Sequence, residues 1–168
     1  MTRPVSIDEL NEMDRAAFID AVGWIFEQSP WVAERAFDAR PFADVDALHA
    51  SMIQQVESAT FAERLALLQA HPDLGSRVRL SAASTSEQAG AGLDSLTPQE
   101  FERLHRLNAA YRARFGFPFL LAVKGSTKHD VYDALQARME AMPADEFREA
   151  LRQVYRIARF RMEDLITP

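Results

Sequence analysis

At 168 residues, with 48% hydrophobic and 26% charged residues, the chain reads as one soluble globular domain, residues 1–168, with enough apolar material for a real core. The absence of cysteine excludes disulfides, thiolate metal sites and a thiol nucleophile. A net charge of −6 argues against nucleic acid as a partner, and no apolar run approaches the ~18 residues of a membrane span.

Ser6-Ile7-Asp8-Glu9 has the spacing of a capping box, which predicts a short helix to about Asn11. A second helix is predicted from about Asp14, with Phe18, Ala21, Val22 and Ile25 on one face. Ser29-Pro30 reads as N-cap and first-position proline of a third, through Trp31 to Phe37. Pro41 breaks the pattern. Asp44 or Asp46 then caps a helix with Val45, Leu48, Met52 and Val56 inward. Thr60-Phe61-Ala62-Glu63 is a further capping box, opening a helix with Phe61, Leu65 and Leu68 inward and ending near Ala70.

Pro72 pushes His71 out of helical backbone, and residues 71–83 read as irregular. Ser84-x-x-Glu87 has the form of the next helix start, followed by Gly90 and Gly92, which are expected to open the helix N-terminus to a ligand or another backbone. Thr97-Pro98-Gln99-Glu100 combines N-cap, first-position proline and box glutamate. Its helix carries Phe101, Leu104, Asn108, Tyr111 and Phe115 on one side and stops at Gly116. Phe117–Val123 is the one strand-like or extended run. Thr127 caps a helix with Val131, Leu135 and Met139, and Pro143 precedes a final helix from about Asp145 to Ile166. The fold class is all-α: a single-domain multi-helix bundle with one short extended segment at about 117–123.

His71, at a helix end before a proline, is the histidine best placed to face a cavity, and histidine exchanges a proton near neutral pH. A helix-terminal interaction with carbonyls is the alternative for it. His49, His105 and His129 read as surface or helix-face residues, and no histidine pair has metal-ligand spacing. On the final helix, steps of about 100° from Phe147 put Leu151, Val154, Ala158, Met162 and Leu165 in one arc. Arg161 falls inside that arc and needs an anionic or carbonyl partner, either a structural salt bridge or a carboxylate-bearing ligand. Arg148, Arg152, Arg156 and Arg159 form a separate solvated face. Pro118 cannot donate to a ladder, so the backbone of 117–123 needs partners other than a regular sheet.

These segments together resemble the 2-oxo-4-hydroxy-4-carboxy-5-ureidoimidazoline (OHCU) decarboxylases of urate degradation. The likeness runs through Leu10-Asn11-x-Met13, Ser29-Pro30-Trp31, His71-Pro72-Asp73-Leu74-Gly75 and Ser84-x-x-Glu87-Gln88-x-x-Ala91-Gly92-Leu93. It continues through Asn108-x-x-Tyr111, Phe115-Gly116-Phe117-Pro118-Phe119 and Val123-Lys124-Gly125 to Arg159-Phe160-Arg161-Met162. The resemblance implies a small-molecule lyase that needs no cofactor or metal, works as a homodimer and makes (S)-allantoin. It implies catalytic roles for His71 and Glu87, and substrate contacts from Pro72, Ser84, Gln88, Phe119, Leu120, Leu121, Ala122, Val123 and Arg161.

Three other readings are open. One is a related lyase or hydrolase on a ureido-imidazoline. Another is a non-enzymatic helical interaction module, with Ser84-Glu87 only a cap and Arg161 only a salt bridge. The third is a metal protein using His71, Asp73 and Glu87. Met1-Thr2-Arg3-Pro4 leads into no signal-peptide apolar stretch, and Leu165-Ile166-Thr167-Pro168 is not a peroxisomal address, so a cytoplasmic protein without nucleic-acid or membrane partners is the expectation.

Overall fold

The computed structural model describes residues 3–76 and 80–168. Residues 77–79, part of the stretch read as irregular, and the first two residues lie outside it. The described chain is all-α, as its periodicity predicts, and by internal packing it divides into two compact units: Met1–Ala70 with Tyr155–Pro168, and His71–Val154.

In the first unit, β1 (Val5–Ser6) leads into α1 (Ile7–Glu12), α2 (Arg15–Val22), α3 (Trp31–Ala36), a 3-10 turn (Phe37–Ala39), α4 (Val45–Glu57) and α5 (Phe61–Gln69). The N-caps follow the expected chemistry: the Ser6, Asp14, Asp44 and Thr60 side chains each accept from a backbone N–H three residues on. At Ser6 the glutamate half of the box is diverted, because the Glu9 carboxylate is bonded by Arg3 at 2.6 Å. Ser29 does not cap α3. Its hydroxyl donates to the Glu27 carbonyl at 2.9 Å, and Pro30 holds the cap position without a side-chain bond.

Leu10, Phe18, Val22, Ile25, Phe26, Val32, Leu48, Met52, Val56, Leu67 and Leu68 are essentially buried. The face of α5 is corrected: Phe61, expected inward, is 60% exposed and Leu65 is half-buried, while Leu67 joins Leu68 in the core. As first residue of the helix, Phe61 lies where the chain has only begun to wind, and helical spacing alone does not bury it.

The described strands are β1 and β2 (Ile166–Thr167), a two-residue parallel pair in the register Val5↔Ile166, Ser6↔Thr167. The segment 117–123 forms no strand. Outside helix and sheet, its backbone at Leu120 and Ala122 is held by side chains.

The second unit holds α6 (Ala82–Gly90), α7 (Pro98–Phe115), α8 (Lys128–Arg138) and the first half of α9 (Pro143–Leu165), whose residues from Tyr155 belong to the first unit. Both Thr97 with Glu100 and Thr127 with Asp130 form reciprocal capping boxes. Lys128 also bonds the Glu100 carboxylate, and these contacts hold its pKa near 2, the capping backbone bond being the largest cause.

The phase of α9 places Leu151, Val154, Ala158, Met162 and Leu165 in the core as predicted, and Arg161 with them at 3% exposure. Arg161 Nη1 pairs with Glu27 Oε2 at 3.0 Å and donates to the Trp24 and Ile25 carbonyls at 3.3 and 3.2 Å. Of its two anticipated partners, the salt bridge is therefore present within the first unit. Truncating one member of such a pair strands the other charge in a low-dielectric interior. Arg161→Met is expected to cost about 3–5 kcal/mol in urea unfolding, and Arg161→Met with Glu27→Leu to recover most of it. Equal midpoints for the single variant and wild type refute the buried-pair account.

Candidate functional site

The second unit contains the His71 loop, α6 and the 119–123 segment, and each is fixed by side chains from neighbouring helices. His71 follows the last turn of α5, whose C-cap is Ala70, and is only 6% exposed. It opens the loop His71-Pro72-Asp73-Leu74-Gly75.

Three residues of α7 at four-residue spacing, Leu104, Asn108 and Arg112, lie on one helix face, and each meets this loop. Leu104 packs under Gly75, where an added Cβ would come within 2.5 Å of Leu104 Cδ2. Asn108 Nδ2 donates to the Leu74 carbonyl at 2.9 Å. Arg112 Nη2 donates to Asp73 Oδ1 at 2.8 Å. Gly75 has φ +73, so both its backbone and its close approach to α7 call for glycine. The Asn108 Oδ1 atom is buried and has no hydrogen-bond partner among the described residues.

The loop is joined to α6 by one bond. The Gly75 N–H donates to Gln88 Oε1 at 2.8 Å. Here the expected helix start is corrected by one turn. Ser81, not Ser84, is the N-cap, and its hydroxyl accepts from the Ser84 N–H at 3.1 Å. Ser81, Ser84, Thr85 and Ser86 are all able to cap, and the glutamate after Ser84 favoured the wrong one. Ala82 and Ala83, expected in the irregular stretch, are already helical.

The shift changes what Ser84 and Glu87 do. Neither residue is the N-cap; they stand inside α6 at positions i, i+3 and i+4 with Gln88, one face of the helix. Ser84 and Gln88 are each 6% exposed and Glu87 is half-buried. The glycines are corrected too. Gly90 closes α6 and Gly92, φ +79, follows it, so neither opens the N-terminus. The end is a Schellman motif, with Leu93 N–H bonded to the Gln88 carbonyl at 2.9 Å and Gly92 N–H to that of Ala89 at 3.0 Å.

The third component is Phe119–Val123. Phe119, Leu120, Ala122 and Val123 are buried and Leu121 is half-buried. Tyr111 of α7 meets the Phe119 ring edge-on at 5.4 Å, and the Arg138 guanidinium lies over that ring, 4.5 Å from its centroid. Arg138 Nη1 donates to the Leu120 carbonyl at 2.5 Å, and Gln153 Oε1 accepts from the Ala122 N–H at 3.0 Å.

Arg138 is held in turn by Glu146, a carboxylate only 1% exposed that also accepts from the Tyr111 hydroxyl at 2.5 Å. Burial first, then this bond and the carboxylate charge, push the Tyr111 phenol far above its usual pKa, so it stays a neutral donor. Sequence reasoning missed Arg138, Glu146 and Gln153. Glu146 and Gln153 lie outside the apolar arc of α9, roughly 100° and 120° around the helix from Phe147, so helical phase gave no signal of their burial.

Among the sequence-predicted site residues, His71, Pro72, Ser84, Glu87, Gln88 and Phe119–Val123 thus belong to one compact unit. Arg161 belongs to the other, where Glu27 pairs with it. Asp73 is engaged by Arg112, and among the described residues no group of three or more His, Asp or Glu side chains is gathered as a metal site would require.

A buried histidine on a clamped loop, a helix face of Ser, Glu and Gln bonded to that loop, and an irregular backbone segment held by side chains define an all-α enzyme-like architecture. The match to known proteins makes this specific. The family model for OHCU decarboxylase matches residues 11–163, and the chain belongs to that family. It is 42% identical to a 2-oxo-4-hydroxy-4-carboxy-5-ureidoimidazoline decarboxylase of Halalkalicoccus jeotgali, over all of this chain and 95% of that one. It is 47% identical to a bifunctional protein of uric acid degradation from Bacillus subtilis, over 96% of this chain but 33% of that protein. The crystal structure of an (S)-allantoin synthase superposes with a TM-score of 0.78 at 35% identity, covering 98% of this chain and 54% of the other.

The clamped loop has a direct test. Gly75→Ala meets both a left-handed backbone and Leu104, and is expected to destabilise the protein by roughly 1–3 kcal/mol in denaturant unfolding. Wild-type stability in that variant removes the claim that Gly75 sets the loop against α7.

Proposed function

We propose that this chain decarboxylates OHCU to (S)-allantoin in urate degradation, with His71 and Glu87 at the reacting centre. The observation that carries the reading is the bond from Gly75 to Gln88, which ties the His71 loop to the helix face bearing Ser84 and Glu87. The names of the full-length relatives point the same way.

The substrate bears a carboxylate and a hydroxyl on one ring carbon next to a C=N bond. When the bond to the carboxylate breaks, its electron pair moves into the C=N and CO2 leaves. The ring supplies its own electron sink, so the step asks for neither metal nor prosthetic group. The ring nitrogen takes up a proton, the hydroxyl gives up its own to become the ring carbonyl, and a proton adds to the neighbouring carbon that had formed the C=N; delivery to one face of that carbon fixes the S configuration. His71 interacts with the departing carboxylate or the hydroxyl and manages the proton, and Glu87 orients the hydroxyl and ring nitrogens. Pro72, Ser84 and Gln88 line the same side.

The Phe119–Val123 backbone offers amide groups to the ring and ureido functions. Among the described residues, no protein group bonds the N–H or C=O of Leu121, and buried peptide groups demand partners. Three further proposals travel with this reading from the family resemblance: residues 1–168 acting as a single OHCU decarboxylase-like domain, a homodimer, and a cytoplasmic location. No helix of the described chain is long and apolar enough to cross a membrane.

His71→Ala and Glu87→Ala are expected to keep the wild-type circular dichroism and melting curve while turnover of freshly generated OHCU falls at least about 100-fold, the usual weight of a general acid or base. Wild-type protein is expected to give optically active allantoin, whereas spontaneous decay gives a racemate. Product no more chiral than in buffer sinks the reading. Activity on related ureido-imidazolines but not on OHCU favours a different lyase or hydrolase instead.

A further inference from the structure

We infer that Gln153, together with the Arg138–Glu146 pair, positions the 119–123 backbone for substrate recognition. The inference rests on the reading of that segment as a substrate-binding wall. The segment is buried yet belongs to no strand, so nothing regular fixes the direction of its peptide groups. Two side chains do this instead. Arg138 takes the Leu120 carbonyl and Gln153 takes the Ala122 N–H, two residues further on.

Each side chain is itself locked. Arg138 Nε donates to Glu146 Oε1 at 2.7 Å, and Glu146 is held by the Tyr111 hydroxyl. Gln153 Nε2 donates to Glu149 Oε1 at 3.0 Å. Its amide therefore has a donor facing a carboxylate and an acceptor facing the backbone, and cannot turn over without losing both bonds. The Leu121 peptide groups, lying between the two anchored positions, take no protein partner among the described residues. Anchoring both neighbours sets where the Leu121 N–H and C=O point. An amide-bearing ring such as a ureido-imidazoline needs such a donor and acceptor.

A purely structural role for Gln153 predicts lower stability with unchanged kinetics per folded molecule. A positioning role predicts the reverse, and full-length protein with freshly generated OHCU separates them. Gln153→Met keeps the length of the side chain and removes the acceptor. It is expected to raise KM about tenfold, the size of one buried hydrogen bond lost, and to lower the enantiomeric excess of allantoin, with kcat changed far less. The swap Gln153→Glu with Glu149→Gln restores an acceptor toward Ala122 and a donor–acceptor pair between the two side chains, and is expected to bring KM and stereochemistry back to wild type.

Amide exchange of wild-type protein gives a readout that needs no variant to fold. The Ala122 N–H is expected to be protected with and without (S)-allantoin, and the Leu121 N–H to shift and gain protection when (S)-allantoin is added. Wild-type KM and product in Gln153→Met, a swap that fails to rescue, or an unprotected Ala122 N–H overturns the inference. Wild-type protein inactive on OHCU overturns instead the functional reading beneath it, which makes the two failures distinguishable.

Discussion

A peptide group buried outside helix and sheet must find a partner, and in the second unit side chains of helices meet that demand. The loop 71–75 and the segment 119–123 are both irregular and largely buried. The Leu74 carbonyl is taken by Asn108, the Gly75 N–H by Gln88, the Leu120 carbonyl by Arg138 and the Ala122 N–H by Gln153. An unmade bond at any of these groups carries a desolvation cost of about 1–3 kcal/mol, more than the net gain from an ordinary hydrogen bond. The same bonds that keep the chain folded therefore also dictate where the irregular segments lie.

α7 is the platform for this arrangement. One of its faces carries Leu104, Asn108 and Arg112 against the histidine loop, and Tyr111 beside them reaches both Phe119 and Glu146. Its N-terminus is stabilised by the Thr97–Glu100 box and by Lys128. Glu146 is the electrostatic hub: a carboxylate at 1% exposure is tolerable only because Arg138 and a phenol held neutral both donate to it. Because Arg138 also holds Leu120, the position of a backbone segment depends on the neutralisation of a charge on another helix.

Much of this was legible in the residues. Helix existence followed from apolar spacing and from caps whose side-chain oxygen meets a local N–H, and those are interactions within a few residues of sequence. The caps at Thr60, Thr97 and Thr127 and the end at Gly116 needed no tertiary information. Failures came where several local solutions had similar energy. Around Ser81 to Glu87 the sequence offers two cap spacings, and only the packed position of Gln88 against Gly75 distinguishes them. At Phe61 the local pattern named an inward residue that tertiary packing left in solvent. At 117–123 the sequence called for partners other than a regular sheet, but it could not show that these would be guanidinium and carboxamide side chains.

Family membership and the all-α class were thus determined by sequence alone, since they rest on short-range spacing and on motifs in order along the chain. Tertiary structure decided which polar side chains hold the irregular backbone. Asn108, Arg138, Glu146 and Gln153 lie 34, 18, 35 and 31 positions from Leu74, Leu120, Tyr111 and Ala122, beyond the reach of any helical or capping period. It also decided that Arg161 pairs with Glu27, two charges 3.0 Å apart in space that sequence periodicity could only call buried or exposed one at a time. Periodicity records which face of an element turns inward; the partner met there is fixed only when the elements pack.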